Sequence, residues 1–364
     1  MAKESNQDYY VYIGTYTHGD SEGIYVYRLD NETGALEYSS SITGVVNPSF
    51  LDVHPSGRYL FAVNEIGDYE GKPSGAVTAF YIHGSSGELS FLNQQPTGGG
   101  APCHVSIDAT GQYILVANYG GGSVAAFPIG KDGRLGEASD FVQHQGSSIN
   151  PSRQSEPHAH AIMIDNENQF AFAPDLGLDK ILIYQLDLES GKLNTNTQPW
   201  ARVHPGAGPR HLDFHPNGKY AYVINELDST FTAFRYEADT GSLTEIQTIS
   251  TLPEDFDGTS HCADVHVHPS GKFLYGSNRG HDSIAICTID EKTGMLSYVG
   301  CESTQGKAPR NFALNPEGTF LLAANQSTNT IVTFAIDTDT GKLSETGNIT
   351  EVPTPVCLKM LACS

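Results

Sequence analysis

The stretch His211-Leu-Asp-Phe-His-Pro-Asn-Gly-Lys-Tyr-Ala-Tyr-Val-Ile-Asn225, followed by Phe231-Thr-Ala-Phe-Arg-Tyr236 and Thr240-Gly-Ser-Leu243, decides the fold. His211–Phe214 reads as a short strand, Pro216-Asn-Gly218 as a tight turn and Tyr220–Ile224 as a second strand. A loop opening at Asn225 leads to a third strand over Phe231–Tyr236, and the turn at Gly241 leads to a fourth. Glycine closing the Pro-x-Gly turn suits a residue with positive φ in a tight hairpin.

Both turns recur. A Thr/Ser/Asp-Gly-x-Leu turn has its glycine at Gly34, Gly87, Gly133, Gly191, Gly241, Gly294 and Gly341, at intervals of 46 to 58 residues. Relatives of His-Pro-x-Gly stand at His54–Gly57, Asp108–Gly111, Asp165–Asn168, His215–Gly218, His268–Gly271 and Asn315–Gly318. Four antiparallel strands at a ~50-residue period are the arithmetic of a propeller blade. No 3.6-residue apolar pattern competes. WD40 repeats are shorter and call for Trp-Asp, whereas Trp200 is the only tryptophan; kelch repeats call for paired glycines.

Seven turns of the first kind against six of the second locate the closure. The first unit lacks an inner strand, and Pro355-Val-Cys-Leu-Lys-Met-Leu361 has the look of an inner strand without a blade. Pairing 355–361 with 9–43 completes the seventh blade and removes two open sheet edges. The expectation is an all-β chain in which residues 1–364 form one seven-bladed β-propeller domain with four antiparallel strands per blade.

Composition narrows the partners. The chain has 38% hydrophobic and 17% charged residues, enough to bury a large core. Its formal charge of −22 is spread along the sequence and repels nucleic acid and anionic lipid. No apolar run reaches the ~18 residues of a membrane span, and the polar segment Met1–Tyr10 does not resemble an export signal. A soluble, cytoplasmic protein is expected, as a monomer or weak homo-oligomer. Six cysteines without CxxC or zinc spacing read as reduced, mostly buried thiols, and neither metal nor cofactor is expected.

In a propeller the inner strand of each blade lines the channel, and its start lies on the same face as the end of the second strand. The inner-strand starts offer His104, His158, His160, Arg210, Asp264 and Arg310. The second-strand ends offer Glu65, Tyr119, Asp175, Glu226, Arg279 and Gln326. A purely structural repeat should carry like residues at like places; these differ from blade to blade and are nearly all polar. Three of the nine arginines fall here, and the planar guanidinium fork suits carboxylate or phosphate. His54, His215 and His268 recur in the turns and read as turn residues. Arg210 and Glu226 share one blade, so a structural ion pair is the plain reading of those two.

The segments Gly208-Pro-Arg-His-Leu-Asp-Phe-His-Pro216, Val223-Ile-Asn-Glu-Leu227, Ala263-Asp-Val-His266, Ser277-Asn-Arg279 and Ala308-Pro-Arg310 resemble the propeller lactonases of the bacterial 6-phosphogluconolactonase type, whose relatives include carboxy-muconate lactonising enzymes. The resemblance spans essentially the whole chain. It implies active-site roles for His158, Arg210, Glu226 and Arg279, and an anion contact for Arg310. The family's inner-strand histidine follows a cysteine; here the context is Pro157-His-Ala-His160, so His158 and His160 compete for that role.

The expected activity is hydrolysis of an anionic sugar lactone, 6-phosphogluconolactone foremost. Glu226 or His158 would take the proton from water, Arg279 or Arg210 would hold the oxyanion, and His104, His160, Asp264 and Arg310 would bind substrate. No Gly-x-Ser-x-Gly elbow is present. A cycloisomerase acting on a muconate-type dicarboxylate is the alternative within enzymes, and a non-catalytic scaffold is the alternative outside them.

Overall fold

The computed structural model describes residues 7–363; residues 1–6, on which part of the no-export-signal reading rests, lie outside them. Twenty-eight strands and no helix occur among the described residues, arranged as seven four-stranded antiparallel sheets. No described helix is therefore long and apolar enough to cross a membrane. The protein is a seven-bladed β-propeller. Inner strands of blades 1 to 6 are Leu51–Val53, Pro102–Ile107, Met163–Ile164, Pro209–Phe214, His261–Val267 and Pro309–Leu314. Blade 7 is built from both ends of the chain: inner strand Pro355–Ala362 pairs with Tyr9–Thr15, followed outward by Ile24–Leu29 and Leu36–Ile42.

Second strands such as Tyr59–Asn64, Tyr113–Asn118 and Phe320–Asn325 are buried at every residue. Adjacent blades cover both of their faces, so these strands read as unbroken apolar runs instead of alternating ones. Outer strands such as Ser242–Ser250 carry the exposed residues.

The seven Gly-x-Leu glycines have a common packing reason. Each sits on the aromatic residue near the start of the second strand in the preceding blade: Gly87 on Tyr10, Gly133 on Tyr59, Gly191 on Tyr113, Gly241 on Phe170, Gly294 on Tyr220, Gly341 on Phe273 and Gly34 on Phe320. A Cβ on Gly133 would lie 2.2 Å from the Tyr59 ring, and the backbone there has φ of +80°. Only glycine meets both demands. The turn histidines add polar links, with Nε2 of His54, His215 and His268 bonded to the carbonyls of Gly111, Gly271 and Gly318 of the next blade.

Inner strands of blades 2, 4, 5, 6 and 7 begin with a bulge, and this positions the site. Pairing runs from Pro209 to His211 past Arg210, from Pro309 to Asn311 past Arg310, and from Pro102 to His104 past Cys103. In blade 3 the bridge between Ala159 and Asp175 puts His160 at the same place. A skipped residue escapes the pleat and can be aimed independently. The residue after each bulge (His104, His211, Asn311, and Asp264 in blade 5) lies one step deeper in the channel. His104 is thus equivalent to His211, while Cys103 is the residue equivalent to Arg210 and Arg310, a correction of one position.

A second correction concerns Asp175. Strand Phe170–Asp175 ends on Asp175 where its counterparts end on Asn64, Asn118, Asn225 and Asn325. Asp175 therefore occupies the recurring asparagine position, one before Glu65, Tyr119 and Glu226. The asparagine amides pin the incoming inner-strand linker, as in Asn64 to the Val46 carbonyl and Asn325 to the Thr304 carbonyl. Asp175 instead accepts the His158 and Gly177 amides on Oδ1 and His144 Nδ1 on Oδ2 at 2.7 Å.

Candidate active site

Bulge residues and second-strand ends from different blades meet in a cavity of about 270 Å³ at one mouth of the channel. Glu65, Tyr119, His160, Glu226, Arg279 and Arg310 line it, joined by Tyr16, Cys103 and Arg153.

Glu226 is the hub. Its Oε1 lies 2.6 Å from Arg153 Nη2, and its Oε2 lies 2.9 Å from Arg279 Nη2 and 3.1 Å from Arg210 Nε. Burial alone would favour the neutral acid, but Arg279, Arg210 and Arg153 outweigh it and hold the carboxyl well below the usual carboxylate range. Glu226 is thus a fixed anion that gathers three guanidinium groups.

The arginines have different freedoms. Arg210 is 2% exposed; its Nε donates to Glu226 and its Nη1 to the Ala263 carbonyl and His211 Nε2. Burial first, then the charges of Arg279 and Arg310, push it down to about 10. It does not line the cavity. Arg279 donates to the His261 and Cys262 carbonyls and faces the cavity beside Glu226. Arg310 lies over the Tyr16 ring at 5.5 Å, and the Tyr16 hydroxyl donates to Glu65 at 2.9 Å. Among the described residues, no protein acceptor takes a hydrogen bond from the Arg310 guanidinium.

The histidines separate into layers. His158 stacks on Tyr119, with ring centroids 4.5 Å apart, and its Nδ1 donates to the Tyr119 carbonyl at 3.0 Å. This arrangement assigns the proton to Nδ1 and leaves Nε2 with a lone pair. His160 lines the cavity with its Nδ1 3.6 Å from Cys103 Sγ; burial and the nearby Arg210 charge keep it neutral, well below its ordinary pKa. His104 packs on Phe50 at 4.3 Å and is kept neutral chiefly by burial. Asp264 binds His211, His266 and Asn311. His104 and Asp264 lie below the cavity and do not line it, as their place after the bulge dictates.

Comparison with known proteins places the fold in a family. Residues 10–360 match the family described as Lactonase, 7-bladed beta-propeller. The chain belongs to this lactonase family. It is 40% identical to the 6-phosphogluconolactonase of Bacillus subtilis strain 168 over 360 residues, 97% of this chain and 98% of that one. It is 36% identical to the 6-phosphogluconolactonase of Formosa agariphila, across 84% of this chain and 86% of that one. Among solved structures, the Pseudomonas aeruginosa periplasmic gluconolactonase superposes with a TM-score of 0.92 at 35% identity, covering 98% of this chain and all of that one.

For this lactonase-family chain, three cavity residues escaped the sequence reading. Tyr16 follows strand Tyr9–Thr15 as Glu65 follows Tyr59–Asn64, so the blade register could have found it. Cys103 was visible by aligning Pro102-Cys with Pro209-Arg and Pro309-Arg. Arg153 lies in the loop between Gln143 and Met163, which has no counterpart in the repeat and carried no signal. Gln326, Asp175 and His158 were grouped with the cavity residues, and none of the three lines it; of the two competing histidines it is His160 that does.

Proposed function

We propose that this protein hydrolyses an anionic sugar lactone, 6-phosphogluconolactone, to the open-chain acid. The observation that carries the reading is a mouth-of-channel cavity where Arg153, Arg279 and Arg310 face Glu226 and Glu65. With Arg210 behind it, this wall has an excess of positive charge inside a chain of formal charge −22, a polarity suited to drawing in a small dianion. The named activity of the Bacillus subtilis relative supports the same substrate.

A lactone is an activated ester, so the protein need supply little beyond a base and an oxyanion donor. His158 does not line the cavity but stacks on Tyr119, which does. Its Nε2, left free because Nδ1–H is tied to the Tyr119 carbonyl, is our candidate to accept the proton of the attacking water. Such general-base help is worth roughly 10²–10⁴-fold. Arg279 donates to the carbonyl oxygen as it becomes an oxyanion. Collapse breaks the bond between the former carbonyl carbon and the ring oxygen, which takes the proton from His158 to become a hydroxyl. The carboxylic acid released loses its own proton to solvent to become the carboxylate. Glu226 is a weak proton acceptor because three guanidinium groups stabilise its anion, so its part is to hold Arg279 in place. Arg210, sealed behind Glu226, acts through it as a positioning residue, and Arg310 binds the phosphate.

The test is turnover of 6-phosphogluconolactone, glucono-1,5-lactone and a carboxy-muconate by the purified protein, corrected for spontaneous hydrolysis. Turnover of the phosphorylated lactone above the other two is expected. Activity on the muconate alone would overturn the proposal in favour of the cycloisomerase reading.

A further inference from the structure

Arg153 stands outside the repeat, on the loop between blades 2 and 3, yet it reaches Glu226 in blade 4. The loop is built to present it. Adjacent Gln154 is fully buried, donating from Nε2 to the Leu176 carbonyl at 2.8 Å and to Asp179 Oδ1 at 2.7 Å. Its Oε1 accepts the Asn150 amide, and its backbone amide donates to the Asn150 carbonyl at 2.7 Å. Ser148 Oγ is tied to Asp179 Oδ2 as well. The turn 150–154 is thus pinned to blade 3 at several points, so little ordering is left for the moment of binding.

Only one nitrogen of Arg153 is committed. Nη2 donates to Glu226 Oε1 and, at 3.4 Å, to the Tyr119 hydroxyl. Among the described residues, Nε and Nη1 have no protein acceptor, and the side chain is 34% exposed. A guanidinium held at one nitrogen, with its other donors unengaged by protein acceptors among the described residues, fits one face of a tetrahedral oxyanion. The cavity wall counts three arginines against two carboxylates, with Arg210 adding a fourth cation behind. That balance accommodates a dianion better than a neutral sugar.

We infer that Arg153 is a specificity residue that reads the phosphate group, so that phosphorylated lactones are selected over unphosphorylated ones. The inference rests on the lactonase reading and adds which side chain makes the distinction. Arg153 shares itself between Glu226 and the phosphate, while Arg310 contacts the same group from blade 6.

The experiment measures kcat/KM of the wild type, Arg153→Gln and Arg153→Lys on 6-phosphogluconolactone and on glucono-1,5-lactone. It also measures inhibition of glucono-1,5-lactone hydrolysis by inorganic phosphate, and each variant's thermal midpoint. For R153Q, a loss of about 100-fold on the phosphorylated lactone against less than about 10-fold on the unphosphorylated one is expected. The phosphate inhibition constant should rise at least about 10-fold, and R153K should recover part of both. Equal losses on both lactones with unchanged phosphate inhibition would mark a structural role only and overturn the inference. A wild type that hydrolyses neither lactone would instead overturn the lactonase reading, and a wild type inhibited by phosphate but blind to R153Q would overturn this inference alone. If R153Q melts well below the wild type, the R153K comparison carries the same decision.

Discussion

Asp264 Oδ1 lies 2.8 Å from His211 Nδ1 in the channel beneath the cavity, and Nε2 of the same imidazole faces Arg210 Nη1 at 3.2 Å. Nδ1–H donates to the carboxylate and Nε2 accepts from the guanidinium, so the ring is needed in its neutral form. Burial, followed by the Arg210 charge, pushes His211 down to about 4. Since its unfolded value is near 6.5, the unfolded chain binds the extra proton between those limits. His211 therefore places no acid-dependent burden on the fold above about pH 6.5, and stability falls as pH drops from there toward 4. By pH 4 the cost reaches ~3 kcal/mol. His211→Asn keeps a donor toward Asp264 and removes the titration. Denaturant midpoints at pH 7 and pH 5 should show a smaller drop for the variant than for the wild type. An equal drop would mean that other groups, His104 and His160 foremost, carry the whole effect.

Glu226 behaves in the opposite sense. Its folded-state pKa lies below the unfolded value, so its contribution is complete above about pH 5 and declines as pH falls through the carboxylate range. Glu226→Gln leaves three arginines around a neutral amide. Breaking such a buried network costs about 3–5 kcal/mol, and the variant's stability at neutral pH should fall by that order. Its stability curve between pH 5 and 3 should be flatter than the wild type's. Loosening Arg279 should also lower kcat/KM by about 100-fold, the scale of a 1 Å misplacement. Full lactonase activity in a folded E226Q protein would contradict its assignment as the organising anion.

The ring of blades can be probed through one contact. Gly133 and Gly218 both have positive φ, +80° and +69°, but only Gly133 has an aromatic ring where a Cβ would go. Gly218→Ala should cost about 1 kcal/mol, the backbone penalty of a left-handed alanine. Gly133→Ala adds overpacking against Tyr59, for a total of about 2–4 kcal/mol. Calorimetric midpoints of the two variants compare them directly, and equal losses would show that the Tyr59 contact yields at little expense.

That contrast explains what could be read from the residues alone. Turn spacing revealed the blade number and the closure because tight hairpins demand glycine, asparagine or proline at fixed offsets, and such demands survive in a linear text. The aromatic partners of the glycines lie one blade away and left no local mark. The repeat predicts which strand ends share a face, and Glu226, Arg279 and Arg310 do line one cavity, with Arg210 behind Glu226. Depth within the channel was not legible: a bulge shifts the register by one residue without changing composition, so His104 was read where Cys103 stands. Asp175 failed similarly, since an acid replaced the recurring asparagine and looked like a cavity residue. Arg153 belongs to no repeat, and its reach toward Glu226 depends on the pinning of Gln154 by Leu176 and Asp179.

In the proposed mechanism Arg279 and Arg310 have different functions within one cavity. Arg279 is fixed by Glu226 and by the Cys262 carbonyl, so it can meet a developing oxyanion without reorganising. Arg310 rests on the Tyr16 ring and, among the described residues, gives no hydrogen bond to a protein acceptor. Loss of a group that acts on the transition state lowers kcat, whereas loss of one that binds substrate and transition state alike raises KM. Arg279→Ala should therefore reduce kcat on 6-phosphogluconolactone by about 10²–10³-fold with a modest change in KM. Arg310→Gln should raise KM by roughly 10–100-fold while kcat stays within a few-fold. Steady-state kinetics on both variants decide the matter. If the two patterns came out exchanged, the carbonyl would have to lie against blade 6 and the phosphate against blade 5, reversing the orientation of substrate in the cavity.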